Sequence, residues 1–201
     1  MIVVVEGVSA AGKTAWCARH ATATVAELTP ITPPSGNAVE IAQFWTDAHC
    51  VRWREAEKME NEHGAAYCDT DPLKLHYPWC LWQHGQASAE AWAAAAAVTR
   101  VAMRTRMMGF ADTIVFLEPE SAVIRRQKEN DPNRRRGHFE LHLQIGAALR
   151  AWYEIIERLS PGRVVWHGEH VKEIVRVPPR ADRFSLELFD EIVATAGRRV
   201  Q

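Results

Sequence analysis

The sequence predicts a three-layer α/β fold, a mostly parallel five-stranded sheet with helices on both faces. Three observations carry that prediction. "IVVVE" at Ile2–Glu6 is a continuous run rich in β-branched residues, the pattern of a strand buried on both faces. A glycine-bearing turn follows at once and leads into a helix-forming stretch. Farther on, short apolar runs alternate with longer segments whose apolar residues recur at helical spacing.

Taken in order, Lys13–His20 reads as the first helix and Val25–Leu28 as a short second strand, ended by a loop holding Pro30, Pro33, Pro34 and Gly36. Ile41, Phe44, Trp45, Ala48 and Val51 then repeat at helical spacing behind Asn37, a fitting N-cap, so a long helix is expected to about His63, stopped by Gly64. "AAYCDTDP", residues 65–72, is a small apolar run closed by acids and a proline, expected to be a strand with functional groups at its carboxyl end. Helical segments follow through Met108. Among them "AWAAAAAV", residues 91–98, is a strong helix former suited to close helix packing or to a dimer face. "DTIVFLEPE" from Asp112 reads as the next central strand. Ser121–Lys128 and Phe139–Leu159 are expected helices around a basic turn, Arg163–Trp166 a last strand and Phe184–Thr195 a closing helix.

A chain of 201 residues suits one domain, with a lid segment at about 125–137. The formal net charge of −1 gives no global pull toward nucleic acid or anionic membranes, so no nucleic-acid or membrane partner is expected. No apolar run approaches the roughly 18 residues of a membrane span, and the first strand opens directly into the fold, which together predict a cytoplasmic protein. Four cysteines without paired spacing read as reduced thiols. Of the eight tryptophans, Trp45, Trp53, Trp79, Trp82 and Trp92 fall on helical stretches, as core or as the wall of a substrate pocket.

The chemistry begins at "GVSAAGKT", Gly7–Thr14, which fits G-x-x-x-x-G-K-[ST] in full, between an apolar strand and a helix. Glycines let successive N–H groups turn into one concavity, and the first N–H groups of the helix add the positive end of its dipole. Such a nest holds phosphate. Gly7, Ser9, Ala10, Ala11 and Gly12 would supply the cradle, Lys13 would bridge the β- and γ-phosphates of ATP, and the Thr14 hydroxyl would be a ligand of Mg²⁺. The loop alone names no reaction. The absence of an Asn-Lys-x-Asp guanine-reading stretch argues against a GTPase, and the short chain against a motor ATPase, leaving a small-molecule kinase.

Acids are needed close by, because a hydroxyl acceptor must lose its proton and Mg²⁺ takes oxygen ligands. Asp69, at the predicted strand end, ranks first as base and for the Mg²⁺ shell, and Asp71, next to Pro72, for orienting acceptor hydroxyls, while which of the two is the base stays open. Arg52 and Tyr77 are further candidates for an acceptor pocket. "RRQKENDPNRRR", residues 125–136, puts five arginines and Lys128 around an "NDPN" turn. It reads as a lid whose guanidinium forks stabilise charge on the transferring phosphoryl group, with a solvated face or an RNA-binding patch as the alternatives. Arg126 and Arg134 are candidates for that contact and Arg135 for the bound nucleotide, while which arginine reaches the γ-phosphate stays open.

"VVVEGVSAAGKT" resembles the opening of thymidylate kinases and deoxynucleoside kinases, including Glu6 before the first glycine. "DTIVFLEPESAVIRRQ", residues 112–127, resembles the fourth strand of that superfamily, the Pro-Glu after it, and the helix leading to an arginine-bearing lid. Those families place Asp-Arg or Glu-Arg after the third strand, whereas Thr70 stands here in "CDTDPLK"; "DTDP" is instead similar to the Asp-Thr-Asp of ribosylnicotinamide kinases, which phosphorylate a nucleoside hydroxyl. The resemblance implies a phosphate-loop kinase fold, with ATP and Mg²⁺ as cofactors. The expected reaction is transfer of the ATP γ-phosphate to a small acceptor, a nucleoside, a nucleotide or a related metabolite, by a protein that could be a homodimer. The alternatives are a phosphate-loop ATPase switch without a small acceptor, or a kinase acting on a polynucleotide end or an antibiotic.

Overall fold

In the computed structural model, which describes residues 1–29, 31–130 and 139–197, five parallel strands lie in the order β2-β3-β1-β4-β5. They are β1 (Ile2–Glu6), β2 (Thr24–Val25), β3 (Ala66–Asp69), β4 (Thr113–Phe116) and β5 (Val164–Val165). β1 pairs with β3 from Ile2↔Ala66 to Val5↔Asp69 and with β4 from Val3↔Thr113 to Glu6↔Phe116. That register aligns the carboxyl ends of the three central strands. Ligands of open parallel sheets bind beyond such ends.

The strands are linked by α1 (Lys13–His20), α2 (Ala38–His63), α3 (His76–Gln83), α4 (Ala89–Arg104), α5 (Ser121–Glu129), α6 (Phe139–Gln144), α7 (Gly146–Leu159) and α8 (Leu186–Ala196). The cap signals hold at α2. Asn37 accepts from the N–H groups of Val39 and Glu40 while Glu40 accepts from the Asn37 N–H, and Gly64 ends the helix at φ 76°. The alanines of α4 serve close packing: Ala94 and Val98 form a buried cluster with Ala42 of α2.

Among the boundaries that differ from the sequence reading, three have a visible cause. The second strand stops at Val25, because the Ala26 carbonyl accepts from Arg52 Nε at 2.9 Å and the chain turns out of the sheet. The helix expected over Phe139–Leu159 divides at Ile145, where Gly146 brings α7 so close to the first turn that an added Cβ would lie 3.2 Å from Val8 Cγ1. The closing helix starts behind Ser185, whose hydroxyl accepts from the Leu188 N–H; Phe184 instead packs edge-on against Trp53 at 6.1 Å.

The core lies on both faces of β1, whose residues Ile2 to Val5 are fully buried. Trp79, Trp92 and Trp152 pack at ring separations of 5.5 and 6.0 Å beneath α3, α4 and α7, and Trp82 stacks on Trp92. The four cysteines are buried and free. No described helix is long and apolar enough to cross a membrane.

At the amino ends of the strands the charges are saturated. Asp112, with no exposed surface, accepts from the N–H groups of Ile2 and Arg180 and pairs with Arg183, which also holds Glu60. After β5, Gly168 lies so close to the sheet that a Cβ there would overlap Val115, while its carbonyl accepts from Trp16 Nε1 at 2.8 Å. Gly168→Ala is therefore expected to destabilise the protein by about 1–3 kcal/mol, the usual cost of overpacking, read as a lower midpoint in denaturant unfolding. Gly85→Ala, at a residue with nothing within 4 Å of the added Cβ, should suffer only the strain of its φ of +68°.

Candidate active site

The turn from β1 into α1 owes its path to its glycines. At Gly7, φ is +150° and a Cβ would stand 2.5 Å from the Leu117 carbonyl oxygen; Gly12 caps α1 in the left-handed region at φ 95°. Ala10 shares that region at φ 66°, a conformation L-residues other than glycine take at a cost. The Lys13 ammonium folds back over the loop and donates to the carbonyls of Gly7 at 2.8 Å and Val8 at 3.1 Å, with Glu6 Oε1 4.0 Å away. Burial lowers its pKa and the Glu6 carboxylate opposes that shift.

Asp69 closes β3 beside this loop, and its Oδ2 accepts from Thr14 Oγ1 at 2.5 Å. Its Oδ1 is buried without a hydrogen-bond partner among the described residues. A hydroxyl and a carboxylate with an unused buried oxygen, next to the glycine turn, form a hard oxygen donor set that fits Mg²⁺.

The turn after β3 is strained and tightly held. Thr70 has φ 70° and Lys74 φ 44°, both left-handed without being glycine. Strain of this kind persists where the surroundings over-determine the backbone. Here the Thr70 N–H donates to Val5 O, the Asp71 N–H to Glu6 Oε2 at 3.0 Å, and the Leu73 N–H to Asp71 Oδ1 at 2.9 Å. Arg52, reaching in from α2, donates through Nη2 to the carbonyls of Asp69 and Thr70. Tyr153 of α7 donates to Asp71 Oδ2 at 3.2 Å and stands equally close to His76 Nδ1, whose ring offers Nε2 to Glu6 at 3.5 Å.

This network fixes charge states. Burial alone would raise the Glu6 carboxyl, but Lys74, with His76, Lys13 and the Asp71 N–H, brings it down to about 2. Burial lowers His76 to about 3 and, on the neighbouring helix face, His49 to about 3. Asp71 is raised to about 6 by burial, with Glu6 adding to the rise against the pull of the Leu73 N–H.

Two cavities open here. The larger, of about 1040 Å³, lies over the phosphate loop and is bounded by Asp69, the segment after β4, Val123 and Gln127 of α5, and its C-cap Asn130. The second, of about 700 Å³, runs between α2, α3 and α4 with walls such as Leu28, Ile41, Trp45 and Leu81. The two share Glu27, Lys74, Tyr77 and His142.

The predicted residues sort accordingly. Gly7, Ser9, Ala10, Ala11, Gly12, Lys13, Thr14 and Asp69 are brought together at the first cavity, and Tyr77 stands at its junction with the second. Asp71 and Arg52 were expected to meet an acceptor. They are instead 3% and 4% exposed, are not among the residues lining either cavity, and have their polar groups turned to the backbone of the β3 turn, to Tyr153 and to Ala26. Arg126 is exposed on α5 and does not line the cavity, where Gln127 of the same helix does. Arg134 and Arg135 lie outside the described residues. Of the five tryptophans weighed as core or pocket wall, Trp45 lines the second cavity; Trp53 and Trp79 are fully buried core, and Trp82 and Trp92 join the same core.

Glu27 and Lys74 are junction residues that sequence reasoning missed. A charged residue just beyond a short strand and one just beyond "DTDP" carry no motif; their one legible signal is position after strands flanking a phosphate loop.

The fold is shared with a deoxyadenosine kinase from M. mycoides, solved with the products dCMP and a flexible dCDP bound: the superposition covers 98% of this chain and 97% of that one, with a TM-score of 0.56 and 10% sequence identity. No protein-family model and no curated protein matches the chain. The chain thus has the mostly parallel α/β architecture of a phosphate-loop deoxynucleoside kinase.

The charge states make stability acid-sensitive. Between pH 6.5 and about 3 the unfolded chain binds protons at His49 and His76 that the fold refuses, and below 4.5 Glu6 adds the same preference. Asp71 works the other way between 3.8 and about 6, since its folded form holds the proton longer. The net expectation is a melting temperature that falls from pH 6.5 to pH 4. In His76→Gln the fall should be shallower, which calorimetry across that range checks.

Proposed function

We propose that the protein is an ATP- and Mg²⁺-dependent kinase that transfers the γ-phosphate to a hydroxyl of a small acceptor. The observation that carries the proposal is the meeting of two cavities: one over a complete phosphate loop and one large enough for a metabolite, joined at Glu27, Lys74, Tyr77 and His142. A shared fold with a deoxynucleoside kinase supports a nucleoside or related metabolite as the acceptor.

In this reading the loop amides and Lys13 hold the phosphates, and Thr14 and Asp69 hold Mg²⁺, which when bound neutralises charge on the phosphate oxygens. Asp69 lines the phosphate cavity alone, with Oδ2 on Thr14, so the base role weighed for it falls instead to Glu27, which lines both cavities. Glu27 takes the acceptor proton as the acceptor oxygen attacks the γ-phosphorus. The mostly apolar second cavity excludes water from the attack and seats the acceptor body.

The test is ADP release from MgATP across a panel of nucleosides, nucleotides, sugars and aminoglycosides, with the product identified by mass spectrometry. One or more acceptors should raise turnover well above the rate with water. Lys13→Ala should abolish it, and Glu27→Gln should lower kcat by about 10² to 10⁴ while leaving ADP affinity unchanged. ATP turnover indifferent to every acceptor would favour the switch instead.

A further inference from the structure

Lys74 is placed unlike any other cation in the described structure. It lies in the turn after β3, lines both cavities, and is half-buried between Leu73 and Leu75, which are 4% and 3% exposed. Its backbone is left-handed at φ 44°, a conformation a lysine takes only when held there. The holding is visible: its N–H donates to Asp71 O at 3.2 Å, its carbonyl accepts from the Tyr77 N–H at 3.1 Å, and Asp71 is itself anchored to Glu6. The ammonium stands 6.0 Å from the centre of the Tyr77 ring and has no carboxylate within ion-pair distance among the described residues.

The field of this group is spent on the site. It acts on Glu6, His76, His49, Asp71 and on Lys13, where it adds to the lowering that burial begins. Two ammonium groups thus bear on one cavity, which the buried Glu6 carboxylate also lines. A phosphate chain carrying several negative charges satisfies both at once, Lys13 from the loop side and Lys74 from the side of the second cavity.

We infer, on the reading of the site as a kinase, that Lys74 is a catalytic cation that binds the γ-phosphoryl group from the acceptor side and accompanies it during transfer. In that step the acceptor oxygen forms its bond to the γ-phosphorus and the bond to the β,γ-bridging oxygen breaks. The electron pair of that bond leaves on ADP, and the acceptor proton passes to the Glu27 carboxylate. Lys74 neither gains nor loses a proton. Its charge meets oxygens that stay on the transferring group, so its hold is absent once only ADP remains.

The test compares MgAMP-PNP, which keeps a γ-phosphoryl group, with MgADP, which lacks one, by titration calorimetry. Lys74→Asn removes the charge with a side chain that tolerates the left-handed backbone, and Lys74→Arg keeps the charge. In Lys74→Asn the affinity for MgAMP-PNP should fall about tenfold with that for MgADP changed less than twofold, and capture of ADP with aluminium fluoride and Mg²⁺ should fall likewise. Lys74→Arg should recover most of the loss. Equal weakening of both nucleotides, or no weakening of either, in a variant whose melting temperature matches the parent overturns the assignment. A melting temperature lowered in Lys74→Asn but not in Lys74→Arg, with the ratio of the two affinities unchanged, also overturns it in favour of a structural role. Failure of the unmodified protein to bind MgADP at all would instead overturn the kinase reading, and this inference with it.

Discussion

The structure turns on one buried carboxylate. Glu6 ends the central strand with 2% of its surface exposed, and both its oxygens are committed: Oε1 accepts from the Gly7 N–H, and Oε2 accepts from the Asp71 N–H. A charge so placed is tolerable only when surrounded by donors and cations. Lys13, His76 and Lys74 therefore have to converge on it, and they come from three different segments. The requirement to compensate one charge thus assembles the phosphate loop, the turn after β3 and the start of α3 around a single point.

The two ends of the sheet treat charge differently. At the amino ends Asp112 and Glu60 are closed by Arg183. At the carboxyl ends Lys13 and His76 stand beside Glu6, the turn after β3 is strained at Thr70 and Lys74, and Asp69 has an oxygen with no hydrogen-bond partner among the described residues. Arg52 and Asp71 brace the turn by bonding its carbonyls and amides.

Much of this was legible in the sequence, because local chemistry decided it. A β-branched run, a glycine pattern fixed by left-handed turns, and a capping pair at Asn37 and Glu40 are properties of neighbouring residues. The phosphate loop and the position of Asp69 at a strand end belong to the same class. What could not be read depends on which segments meet. "CDTDPLK" shows acids near a proline, but that Asp71 turns inward is set by Tyr153 and Glu6, each more than sixty positions away in the chain. Arg52 reads in the sequence as a candidate for an acceptor pocket, because its partners, the carbonyls of Ala26, Asp69 and Thr70, come from other segments.

The strand order has a consequence for how such a chain reaches its native state. β1 sits in the middle of the sheet, yet its partners begin only at Ala66 on one side and Thr113 on the other. During synthesis it would emerge as an apolar ribbon with both hydrogen-bonding edges open, and neither can be closed by a local hairpin because every pairing is parallel. Closure of long loops must come before any reward from these contacts, so folding is expected to be slow and the nascent chain prone to association until β4 has been made. A fragment that stops short of His76 cannot hold the site, since the central carboxylate of Glu6 is met by Lys13, the Asp71 N–H, Lys74 and His76.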